Sequence, residues 1–61
     1  MNQKTKLILA LQQIDNLTAL LEGNEYQKFL YFNLIQIQVE LNRQLTNAKI
    51  LDMMSLLNKR G

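Results

Sequence analysis

Leu21-Glu22-Gly23-Asn24-Glu25-Tyr26-Gln27 reads as the end of one helix and the start of the next. Gly23 has no Cβ to clash in the left-handed conformation that closes many helices. Asn24 suits an N-cap, because its amide oxygen accepts from a free N–H of the following turn. Gln27 stands three residues later, where its side chain can bond back to the N–H of the cap, as in a capping box. Glu25 puts a negative charge in the first turn, where the helix dipole favours it. Helices joined by so short a connection lie antiparallel, so the segment predicts an αα-hairpin.

Outward from the turn, residues 4–22 carry the first helix. Leu7, Ala10, Ile14, Leu17 and Leu21 recur at steps of three and four, and Leu11 and Thr18 widen the stripe. These seven positions fall within an arc of about 120°. The turn occupies 23–24, and a second helix runs over 25–45. Its segment Ile35-Gln36-Ile37-Gln38-Val39-Glu40-Leu41 alternates like a strand. No turn residues bound that run, and residues of helical period continue on both sides, so helix is the reading. Leu7, Leu11, Ile14, Leu17 and Leu21 are expected to face Leu30, Leu34, Ile37, Leu41 and Leu45.

The second helix has a further apolar stripe through Tyr31, Phe32, Ile35 and Val39. One neighbouring helix covers one stripe only, so the other needs a third helix or another subunit. Beyond Leu45 the apolar direction swings round near Thr46-Asn47, either of which could cap a new helix. A break there, with a third helix over 48–58, is the favoured expectation. The alternative is an unbroken helix whose second stripe continues as Thr46, Ile50, Met53 and Leu57, forming a seam between molecules. The whole chain, 1–61, reads as one all-α domain.

Size adds an energetic argument for association. A chain of 61 residues and 7.2 kDa buries roughly 6,000 Å² on folding by area scaling. If about 60% of that is apolar, burial supplies about 90 kcal/mol. Ordering the chain at roughly 1.5 kcal/mol per residue costs nearly the same. With no cysteine there is no disulfide to tip the balance, so a homo-oligomer, a dimer or larger, is expected. The bundle so formed is most simply two-fold symmetric.

The inventory narrows the chemistry. There is no Cys and no His, which removes the thiolate nucleophile, the usual neutral-pH base and the ligands of structural zinc. The five acids, Asp15, Glu22, Glu25, Glu40 and Asp52, form no metal-ligand pattern, and two glycines are too few for a phosphate-cradling loop. Ser55 has no base near it in sequence. The expectation is a non-enzyme with no cofactor and no metal. The longest apolar run, 7–11, is far short of the ~20 residues that cross a bilayer. The lysines before it resemble the start of a signal peptide, but no small-residue cleavage site follows. No membrane partner and a cytoplasmic location are therefore expected.

Two surfaces are candidates for binding. All four aromatics lie between Tyr26 and Phe32, and aromatic residues are enriched where proteins meet. Phe29, Tyr31, Phe32, Ile35 and Val39 are the candidate partner interface, with itself or with another protein. At the open end of the hairpin, Lys4, Lys6, Arg43 and Lys49 are the candidate anion site, for a nucleotide or nucleic acid, with Lys59 and Arg60 closing the chain. Solvated cations near helix ends are the plainer account of that charge.

In architecture the hairpin is similar to small regulatory four-helix bundles built from two hairpins. The short, amide-rich, Cys-free chain also resembles many phage-encoded proteins. These resemblances are of architecture and composition and assign no residue a function; the expected role, a protein that binds and regulates another as an inhibitor or adaptor, rests on the apolar surface.

Overall fold

The computed structural model describes residues 2–59, apart from the side chain of Lys59; Arg60 lies outside the described residues. Two helices account for almost all of them: α1, Gln3–Leu20, and α2, Gln27–Lys59. They pack side by side as the expected antiparallel hairpin. Asn2 caps α1, its side-chain oxygen accepting from the Thr5 N–H at 2.8 Å.

The turn is built from the residues that announce it, with one bond displaced. Gly23 adopts φ +81°. Asn24 Oδ1 accepts from the N–H of Tyr26 at 2.8 Å. Gln27 Oε1 accepts from the N–H of Gly23, not of Asn24, also at 2.8 Å. Gln27 N–H bonds back only three residues, to the Asn24 carbonyl at 3.1 Å, and the first four-residue bond runs from Leu30 N–H to the Tyr26 carbonyl, so α2 starts at Gln27 instead of residue 25.

The expected break near Thr46-Asn47 is absent: α2 is continuous over 33 residues, and no separate third helix spans 48–58. The alternating run from Ile35 to Leu41 is helical, within α2. The swing in apolar direction needs no break, because Ile50, Met53 and Leu57 extend the second stripe of one uninterrupted helix. Thr46 and Asn47 are ordinary helix-interior residues facing outward.

The seam holds to its helical spacing and shifts one position from the richest apolar choice. Leu7 and Ile14 are buried, at 5% and 9% exposure, while Leu11, Leu21, Leu30, Leu34, Leu41 and Leu45 are half-buried. Leu17 and Ile37, expected in the seam, are exposed on its flanks. Thr18 and Gln38 sit in their place, lining one groove with Ile14, Tyr31 and Leu34. In both helices the contact follows alternating steps of three and four, and a residue one position off that ladder points about 100° away.

Two polar contacts bridge the helices in this phase. At the turn end, Glu22 N–H bonds to Ala19 carbonyl at 3.4 Å, leaving the Thr18 carbonyl free in the last turn of α1. The Tyr31 hydroxyl donates to that carbonyl at 3.1 Å. At the open end, Lys4 Nζ meets Asp52 Oδ2 at 2.6 Å.

The result is a slab 56 × 19 × 11 Å, two helices wide and one helix thick. Its radius of gyration is 15.6 Å, against about 10.5 Å for a rounded chain of this length. In a single layer each helix is covered along one flank only.

Candidate interaction surface

The uncovered flank of α2 is its most distinctive surface. Phe29, Phe32, Ile35, Val39, Ile50, Met53 and Leu57 are all exposed, Phe32 at 61% and Leu57 at 65%. Helical period places Phe32, Val39, Thr46 and Met53 in one row, seven residues apart. Beside it runs Phe29, Gln36, Arg43, Ile50 and Leu57. In the middle of the stripe Val39, Asn42, Arg43, Thr46, Asn47 and Ile50 line a shallow open groove. A second depression lies at the turn, under Tyr26 and Phe29.

Four of the five residues expected at a partner interface therefore share this outer face. Tyr31 does not. It is half-buried in the seam, held there by its bond to the Thr18 carbonyl. Sequence reasoning counted its ring among the apolar residues and overlooked the hydroxyl, which seeks an acceptor when buried.

Exposure of this kind is large for the chain. A compact protein of 7.2 kDa exposes about 4,100 Å². This one exposes 5177 Å², an excess of about 1,000 Å² by that scaling. The excess follows from the single-layer shape, which leaves sixteen large hydrophobic side chains exposed among the described residues.

The basic residues are not gathered into one patch. Lys4 lies at the open end, in a depression with Asn2, Gln3, Ala48, Leu51 and Asp52, and is engaged by Asp52. Arg43 lies on the outer groove of α2. Both of its bonds go to Glu40, from Nε at 2.9 Å and from Nη2 at 2.7 Å. Gln44 adds a third bond to the same carboxylate at 2.7 Å. These hydrogen bonds, Arg43 first and Gln44 second, hold the Glu40 carboxyl at about 2, well below its ordinary 4.5. Lys6 and Lys49 are exposed. Two of the four candidate cations are thus matched locally by carboxylates, which weakens the field they offer an anion.

Among the described residues no three His, Cys, Asp or Glu side chains converge as metal ligands would. No helix among them is long and apolar enough to cross a membrane. No protein-family model, curated protein or solved structure matches the chain.

Proposed function

We propose that this protein is a non-enzymatic interaction module that works as a homo-oligomer and binds and regulates another protein, as an inhibitor or adaptor, in the cytoplasm. The observation that carries this reading is the outer face of α2: a long apolar stripe left bare by a hairpin one helix thick. Phe29, Phe32, Ile35, Val39, Ile50, Met53 and Leu57 of this face are all exposed, and a stable protein–protein contact buries about 800 Å² on each partner. Apolar residues grouped on one face at both ends of a helix, around a polar centre, support a contact surface more than a scatter of surface leucines does. Phe29, Phe32, Ile35 and Val39 are its aromatic and branched anchors. The anion-binding alternative has less support, because Lys4 and Arg43 already have acidic partners.

Light scattering across a concentration series, with thermal unfolding on the same samples, tests the proposal. A tenfold rise in concentration adds about 1.4 kcal/mol to a dimer, so Tm should climb by a few degrees. A solution mass of one chain, with a Tm independent of concentration, overturns it.

A further inference from the structure

Six positions of the outer stripe of α2 mirror one another in kind, although Met53 mirrors Gln36. Phe32, Val39, Arg43, Thr46, Ile50 and Leu57 are placed symmetrically about the midpoint between Gln44 and Leu45. Large apolar residues stand at the two ends, a polar pair in the centre. A two-fold antiparallel contact centred there pairs these six positions with one another, apolar against apolar and Arg43 against Thr46, which makes the face self-complementary. We infer that a second copy of this chain covers the outer face of α2, with the two α2 helices antiparallel and Phe32 set against the partner's Leu57. The same register sets Val39 against the partner's Ile50 and Arg43 against the partner's Thr46. It rests on the homo-oligomer proposed above and specifies its geometry.

Charge and area both favour this occupant. A parallel, in-register pair would stack Arg43 on its own copy in the middle of the contact, where like charges repel. The antiparallel pair puts a threonine hydroxyl opposite each guanidinium, which stays bound to Glu40. Antiparallel helix dipoles also oppose favourably. The contact from Phe32 to Leu57 spans about 38 Å of helix and covers the exposed Phe32, Val39, Ile50 and Leu57 of each chain.

Cysteine cross-linking decides the register, since the natural chain contains no cysteine. Val39→Cys and Ile50→Cys are made separately; both positions are exposed, so the hairpin keeps its fold. The variants are mixed and treated with a short bis-maleimide. The expected result is a covalent dimer in the mixture and none with either variant alone, because identical positions sit 11 residues, or about 16 Å, out of step. Cross-linking of each variant with itself would mean parallel helices and overturns the inference. Absence of any cross-link in a sample that light scattering shows to be oligomeric overturns it too, and leaves the oligomer standing on another face. A monomeric mass removes both readings together.

Discussion

Replacing Tyr31 with phenylalanine removes a single oxygen and leaves the ring in the seam. The hydroxyl donates to the Thr18 carbonyl at 3.1 Å in a partly buried setting. That carbonyl has lost its backbone donor, because Glu22 N–H turns to Ala19. Without the hydroxyl it is left short of a partner at the end of α1. A net hydrogen bond of this kind is worth about 1 kcal/mol, which lowers the folding constant about fivefold. For a domain of this size Tm should fall by about 4–8 °C. Urea and thermal unfolding followed by circular dichroism measure it, at two concentrations and beside the natural chain. The loss should be the same at both concentrations, since the bond lies within one hairpin. An unchanged stability combined with weakened association would place the hydroxyl at an intermolecular contact and refute the reasoning.

A pair of aspartates tests the phase of the seam. Leu34→Asp introduces a charge into the half-buried contact and should unfold the hairpin, whereas Ile37→Asp falls on the exposed flank and should change monomer stability by no more than about 0.5 kcal/mol; equal loss of helicity from both would show the phase to be wrong. Gly23→Ala meets no neighbouring atom, yet φ +81° is strained for any residue with a Cβ. It should cost about 1–2 kcal/mol in chemical denaturation, and a neutral result would mean that the turn relaxes to another conformation. For Glu40 the folded pKa lies below the unfolded one, so its contribution is complete above pH 4.5 and is lost as pH falls towards about 2. A carboxyl titration by NMR should show this low midpoint, and Arg43→Ala should raise it; a midpoint near 4.5 in the natural chain would contradict the bonding described.

Much of the hairpin is legible from residues whose conformational demands are absolute. Gly23 marks the left-handed position because other side chains are strained there, and the side chains of Asn24 and Gln27 accept from the backbone N–H groups of Tyr26 and Gly23. The phase of the seam is less legible. Hydrophobicity alone favours Leu17 over Thr18 and Ile37 over Gln38, whereas the contact obeys helical spacing and is bridged at both ends by polar pairs. Lys4 and Asp52 are 48 residues apart, and nothing local in sequence announces their meeting. The continuity of α2 was hidden for a similar reason. The inner row of α2 meets Asp52 and Ser55 beyond Ala48, and a row that turns polar there looks like a break, although the outer row carries on through Ile50, Met53 and Leu57. The outer stripe itself was legible from Phe32, Ile35 and Val39, because no single neighbour could reach it and the other apolar row at once.

The polar contacts at the two ends of the seam enclose very different lengths of chain. Tyr31 and Thr18 are 13 residues apart, Lys4 and Asp52 are 48. Closing the longer loop from a disordered chain costs about 1.2 kcal/mol more by the logarithmic loop-entropy rule. Assembly is therefore cheapest as a zipper that starts beside Gly23 and travels toward the amino-terminal lysines, each step bridging only a few newly ordered residues. On a ribosome, α1 would wait, unpaired and amphipathic, until the early turns of α2 emerged to receive it.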